Sequence, residues 1–308
     1  MAFKMRPAKP VRKALLGLLF GKTREGKSTC LGTIGKPTLW LHTLHEAHGF
    51  DTAIAMAKHK FGDKACIMPV NIEMCEDIDV EFGLFKESAK LKIGDDLDAN
   101  QIREKYKFYL NPDNIPKEVK AVVLDSITDL CRTLKDTRQF EKLCTVTGKD
   151  GQKYSHYKER EAYETMLQQE IIKPLAILRD RGIDCFCTIS AKPTYDAEGT
   201  LISLTPDLPM FGVVETVAKS FPDVFPVARM VVESAEHVVF NMQMTVGKDQ
   251  QHSKESAETG IKNRVRTHGR INSWASDIPY GLDFTQVPAD FSKLRDSIEI
   301  LMEDQGLK

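Results

Sequence analysis

The chain has 308 residues, 42% of them hydrophobic and 28% charged, which is enough for one large core or two modest ones and excludes a small stapled peptide. Its 43 Lys and Arg nearly balance 44 Asp and Glu, for a formal net charge of -1. No global basic field therefore announces nucleic acid or an anionic membrane, and any such partner must be held by local patches.

Residues 1–13 form a basic N-terminal segment that leads into the apolar run Ala14–Phe20, read as a strand buried on both faces. The next nine residues are Gly21-Lys22-Thr23-Arg24-Glu25-Gly26-Lys27-Ser28-Thr29, a complete G-x-x-x-x-G-K-S phosphate loop placed after a strand and before a helix. In that setting backbone N–H groups surround a β-phosphate, Lys27 reaches the β/γ oxygens, and Ser28 holds Mg²⁺. Gly21 and Gly26 let the backbone turn tightly and approach the ligand.

Further strands are predicted over Thr38–His42, Cys66–Val70, Ala121–Leu124 and Asp184–Ile189, each separated by enough chain for a helix. Such alternation means an α/β sheet with parallel neighbours. Glu46, just past the second strand, either polarises an attacking water or simply favours a first helical turn. His42, His45 and His48 are read as solvated or packed, because a strand-to-helix change denies them a common face.

Ala121–Leu124 delivers Asp125 to the carboxyl end of a strand, where ligands gather in such sheets. Asp125 fits a Walker B role toward Mg²⁺, while the alternative is a cap on the helix starting at Ser126. The polar stretch Thr145–Lys158 is expected to be a mobile loop. Its Lys149, Lys153, Tyr154 and Lys158 either mix cations for phosphates with an aromatic for base stacking, or belong to a segment whose aromatics simply start the next helix. A crossover helix over Tyr157–Arg181 follows, bent at Pro174.

Seven cysteines, at positions 30, 66, 75, 131, 144, 185 and 187, show no paired CxxC or His ligand spacing. They indicate a reducing compartment rather than disulfides or zinc, and Cys185 and Cys187 are read as buried packing. No apolar run reaches the length of a membrane span, so a soluble, cytoplasmic protein is expected. Ser190 lies in Thr188–Lys192, either a strand end suited to sensing a γ-phosphate or an ordinary one with a solvated lysine.

Beyond it, Met230–Val232 and Val238–Met244 flank a turn at Glu233–His237, so an antiparallel extension is predicted. Gly247–Gly260 reads as another loop. Lys262, Arg264 and Arg266 alternate and would project from one side of a strand. The tail carries Phe291, Leu294, Ile298 and Leu301 at helical spacing, predicting an amphipathic helix over 289–308 docked on its own core or on a neighbour.

Together these motifs resemble a RecA-like ATPase core, and most of all the compact phage ATPases with a shortened RecA-type domain that act in single-strand annealing or recombination. Gly21–Thr29 matches the phosphate loop and Val122–Asp129 the Walker B strand. Leu41–Gly49 resembles the segment with the family's catalytic glutamate, and Cys187–Lys192 lies where its polar sensor sits. Thr205–Pro209 and Phe221–Val224 resemble its proline-rich turn and Asp-containing segment, and Lys262-Asn263-Arg264 its K-x-R pair.

The resemblance implies a core over 14–288 with a mostly parallel sheet flanked by helices, ATP and Mg²⁺ as cofactors, and DNA-stimulated hydrolysis. Lys27, Glu46 and Asp125 would be catalytic. Gly21 to Thr29, Ser190, Lys262 and Arg264 would contact nucleotide, the last two across a subunit interface. Single-stranded DNA, further copies of the chain in a ring or filament, and a single-strand-binding protein are the implied partners. A ring-shaped translocase, helicase or packaging motor is one alternative, and a nucleotide-gated DNA-binding protein with little hydrolysis is another.

Overall fold

The computed structural model describes residues 14–43, 47–73, 97–154, 158–195, 197, 201–209, 217, 220–221, 223–232, 235–242, 244–246, 265–267, 285–288 and 290–292. In chain order these form β1 (Leu16–Gly21), α1 (Lys27–Leu31), β2 (Thr38–His42), α2 (Ala47–Phe61), β3 (Ile67–Asn71), α3 (Ala99–Leu110), β4 (Ala121–Asp125), α4 (Ile127–Leu134) and α5 (Arg138–Cys144). There follow a hairpin of β5 (Val146–Thr147) and β6 (Lys153–Tyr154), α6 (Glu159–Met166), a π turn (Leu167–Ile172), and α7 (Lys173–Asp180). The remaining strands are β7 (Asp184–Tyr195), β8 (Leu201–Pro206), β9 (Asp223–Val232), β10 (Ala235–Met242), β11 (Met244–Val246), β12 (Val265–Thr267) and β13 (Thr285–Pro288).

The main sheet runs β13-β10-β9-β1-β7-β4-β2-β3. From β9 to β3 all neighbours are parallel, while β10 pairs antiparallel with β9 and β13. Helices flank the parallel part, and the antiparallel extension lies toward the C-terminus. This is the fold class that the RecA-like resemblance implies.

Period-two alternation sorts the strand residues into two cores, one on each sheet face. Leu16, Leu18, Phe20, Leu39, Leu41, Val122, Leu124, Cys185, Cys187 and Ile189 join a large core with α3, α4, α6 and α7. Leu19, Trp40, Ala121, Val123 and Phe186 join a smaller one with Cys30 and Leu31 of α1 and Phe50 and Ala53 of α2. Cys185 and Cys187 are buried packing groups, as their sequence pattern predicts.

Helices α1 and α2 meet closely at Gly32, where a Cβ would stand 2.4 Å from the Ala53 carbonyl oxygen. Only glycine fits that approach without moving backbone. Phe50 then clamps α2 to β2, stacking on His42 with ring centroids 5.0 Å apart and meeting Trp40 edge-on at 5.9 Å.

Several expected boundaries shift. The third strand begins one residue later, at Ile67, and the seventh continues to Tyr195 because β8 pairs with it beyond the sheet edge. Strand β9 starts at Asp223 rather than Met230, since its first half pairs with Gly17–Phe20. The turn expected at Glu233–His237 is shorter: Ala235 pairs with Val232 and His237 with Met230, so Glu236 and His237 belong to β10. Only two residues then separate the strands, which keeps more of the backbone hydrogen-bonded in the ladder.

Thr145–Lys158 is likewise not all loop. Gly148 N–H donates to the Gln152 carbonyl at 2.8 Å, and Gly151 takes a positive φ of 77°, closing the β5–β6 hairpin. Pro174 does not break its helix either. Lacking an N–H, it follows a π turn in which Lys173 N–H reaches back five residues to Gln168.

At the C-terminus Asp290 pairs with Lys60, and Phe291 packs 4.6 Å from Phe186 with its N–H on Thr33 Oγ1 at 2.8 Å. The tail thus starts by docking on its own chain. Residues 290–292, the described part of the predicted terminal helix, form a turn rather than helix; 293–308, residues 1–13 and Gly247–Gly260 lie outside the described residues. Among the described residues no helix is long and apolar enough to cross a membrane.

Candidate functional site

Strand β1 ends at Gly21, and the chain turns through residues 22–26 into α1 as the motif requires. Gly26 sits at φ 94°, in the left-handed region where glycine carries no Cβ penalty, and Arg24 also has a positive φ of 69°. Lys27, only 9% exposed, folds back over the turn and donates from Nζ to the Gly21 and Lys22 carbonyls at 3.0 Å each. A buried ammonium needs such oxygens, and phosphate oxygens are their chemical equivalent.

Asp125 is the last residue of β4, separated from β1 by β7 alone. It is 1% exposed, and two hydroxyls approach it: Ser28 Oγ donates to Oδ2 at 3.3 Å, and Thr188 Oγ1 donates to Oδ1. The structure thus brings Lys27, Ser28 and Asp125 to one sheet edge. The cap alternative for Asp125 fails, because Ser126 caps α4 instead: its Oγ accepts from the Asp129 N–H at 3.3 Å. The Asp125–Ser126 peptide bond is cis.

A second layer of polar contacts surrounds this edge. Asp129, buried, accepts from Ser126 Oγ at 2.9 Å, from Thr43 Oγ1 at 3.4 Å and from Arg132 at 2.8 Å. Arg132 also donates to Asp207 at 3.1 Å, just beyond β8. Ser190 enters through its backbone: its N–H donates to Thr128 Oγ1 at 3.1 Å and its carbonyl accepts from Asp207 N–H at 2.8 Å. The chain just beyond β2 and β8, the start of α4 and the middle of β7 are therefore tied together.

Cys30, one turn into α1, is a packing group. Burial pushes its thiol well up, although nearby Lys27 acts to lower it. His42 is buried under Phe50 and bonds its neighbour's carbonyl through Nδ1 at 3.1 Å, so the packed reading holds for it. Glu46, His45, Lys262 and Arg264 lie outside the described residues. Arg266 lies in β12, which pairs with β11.

The basic-aromatic set is brought together in part. Lys149, Lys153 and Tyr154 share the β5–β6 hairpin, where Tyr154 is 46% exposed and its hydroxyl donates to Asp150 at 3.0 Å. Hydrogen bonds from the Gln152 N–H and from Tyr154 hold the Asp150 carboxyl below the usual range. Lys158 stands apart, at the start of α6 and paired with Glu161 at 2.9 Å.

Sequence reasoning missed the role of Thr188, and of Asp129, Arg132 and Asp207. For Thr188 a signal was there: it shares Phe186's face of β7, where the pattern calls for an apolar residue. Asp129 and Arg132 carried the local signal of an i,i+3 pair on one helix, and only their link to Asp207 waits on folding.

Chemically, the edge offers a sequestered ammonium, a hydroxyl and a carboxylate. The oxygen pair of Ser28 and Asp125 fits a hard divalent cation such as Mg²⁺, which takes one or two carboxylates along with waters and phosphate oxygens. Among the described residues no group of three or more His, Cys, Asp or Glu could hold a metal, so phosphate oxygens and waters would complete the set.

No protein-family model matches the chain, and no curated protein does. Among solved structures it is similar to the KaiC-like protein PH0186 from the hyperthermophilic archaeon Pyrococcus horikoshii OT3, at 17% identity and a TM-score of 0.36, over 78% of this chain and 83% of that one.

Proposed function

We propose that the chain is a RecA-like P-loop ATPase that binds ATP with Mg²⁺ at the Lys27–Ser28–Asp125 edge and acts on single-stranded DNA in recombination or strand annealing. The observation that carries the nucleotide reading is the meeting of Ser28 and Asp125, 97 residues apart in sequence, at 3.3 Å beside a sequestered Lys27. An ordinary surface turn has no reason to aim a hydroxyl at a buried carboxylate while folding a lysine back onto its own carbonyls.

Lys27 exchanges the Gly21 and Lys22 carbonyls for phosphate oxygens and neutralises charge that develops during transfer. Ser28 and Asp125 hold the metal. Mg²⁺ held there would supply charge neutralisation to the phosphates. Glu46, just beyond the anchored Thr43, positions the attacking water, and Ser190 on the neighbouring strand β7 reads the γ-phosphate. Lys262 and Arg264 reach the nucleotide of an adjacent copy, which makes hydrolysis depend on assembly into a ring or filament.

Single-stranded DNA lies along the β5–β6 hairpin, with Lys149, Lys153 and Lys158 on its phosphates and Tyr154 under a base. A single-strand-binding protein presents that strand.

The test is Lys27→Ala, assayed for ATP turnover with and without single-stranded DNA. Turnover that collapses in the variant and is stimulated by DNA in the parent supports the reading. A variant as active as its parent removes the site assignment, and a parent indifferent to DNA removes the DNA role.

A further inference from the structure

On the face of the sheet that packs against α1 and α2, the strand residues are apolar almost to the edge. Leu19 on β1, Ala121 and Val123 on β4, and Phe186 on β7 all belong to one buried cluster. Two residues along from Phe186 the alternation brings Thr188 to the same face. Its side chain is 0% exposed. A hydroxyl in such surroundings is unfavourable unless it is hydrogen-bonded, whereas valine has the same shape and would fill the place without that requirement.

Thr188 spends its proton on a single group, the Oδ1 oxygen of Asp125. The other oxygen, Oδ2, is the one that Ser28 approaches at 3.3 Å. Strand β7 lies between β1 and β4, and Cys187 pairs in register with Leu124, so Thr188 and Asp125 are the next positions along adjacent strands. The hydroxyl divides the carboxylate into a fixed oxygen, turned into the sheet, and a working oxygen, turned toward the phosphate loop.

We propose that Thr188 is a positioning residue for the metal site: it holds the Asp125 carboxylate in the one orientation that presents Oδ2 beside Ser28. This rests on the nucleotide reading above and adds to it the group that sets metal affinity. Outer partners that orient a metal-binding carboxylate typically change metal affinity by about 10- to 100-fold when removed.

The experiment measures binding of a fluorescent ATP analogue, first in EDTA and then over a Mg²⁺ titration, for the full chain and for Thr188→Val and Thr188→Ser. Thr188→Val should bind the analogue in EDTA as the parent does, yet need about 10- to 100-fold more Mg²⁺ for the half-maximal gain in affinity. Thr188→Ser, which restores the hydroxyl, should need nearly the parental concentration. Thermal unfolding is followed alongside, and Thr188→Ala replaces the valine variant should that fail to fold.

A parental Mg²⁺ midpoint in the hydroxyl-free variant overturns the positioning role while leaving the nucleotide site intact. A parent that binds no analogue under any condition overturns the nucleotide reading itself, and this inference with it.

Discussion

The Asp125 edge and the β5–β6 hairpin are built in opposite ways. Asp125 is buried, and its partners come from far along the chain, Ser28 97 residues before it and Thr188 63 after it. The hairpin is held by contacts among neighbours: Asp150 with Tyr154, Gly148 with Gln152, and a left-handed Gly151. The first arrangement exists only once three strands, β1, β7 and β4, have assembled, so its geometry is fixed by the core. The second needs only its own turn and presents side chains to solvent. Precise chemistry suits the former, and contact with a long flexible polymer suits the latter.

The sharpest test of that contrast removes charge from the buried edge without changing its shape. Asp125→Asn should lower steady-state ATP turnover by roughly 100-fold, because the metal loses its carboxylate while Ser28 and Thr188 keep a neighbouring side chain of the same size. Its melting temperature should stay close to the parent's. Full activity in this variant would mean that the edge is merely structural.

Next in size is the hairpin. Tyr154→Ala should leave DNA-free turnover and melting temperature unchanged and weaken single-stranded DNA binding by about 5- to 100-fold, the range for loss of one stacked base. Fluorescence anisotropy with a labelled oligonucleotide reads it directly. Unaltered DNA affinity together with a lower melting temperature would make the hairpin a structural element and erase the contrast.

How legible each region was in the sequence follows from the same difference. The phosphate loop occupies consecutive residues, and its flanking strand is an unbroken apolar run, so Gly21–Thr29 and β1 are plain. Asp125 is plain because it closes another such run. The hydroxyl that orients it is not, since Thr188 reads as one polar residue at a strand end until β7 lies down between β1 and β4. The same holds for Asp129, Arg132 and Asp207, a chain of contacts spanning α4 and the end of β8. Strand β9 reads as short because its first four residues pair with β1, some two hundred residues earlier in the sequence. The hairpin reads as loop because its composition between Val146 and Tyr154 is polar. Only the spacing of Gly148, Asp150 and Gly151 marks the turn that orders it.

The smallest predicted effect extends the comparison to thiols, which report burial independently of any ligand. Cys30, Cys131, Cys144, Cys185 and Cys187 are buried, whereas Cys66 is exposed at the start of β3. In a Cys75→Ser background, Cys66 alone should react rapidly with an aromatic disulfide near neutral pH. Burial pushes the Cys131 thiol up from its ordinary 9.0 to about 12, and it raises Cys185 in the same direction. The folded state therefore prefers these thiols protonated. That preference stabilises the fold fully below about pH 9 and is lost as the pH climbs through about 12, because the unfolded chain ionises first. The urea midpoint should fall across that interval, and less steeply in Cys131→Ala than in the parent. Equal slopes would mean that water reaches Cys131. The large core beneath β4 would then be looser than a fixed Asp125 requires, and the distinction between a core-built site and a solvent-built one would weaken from the buried side.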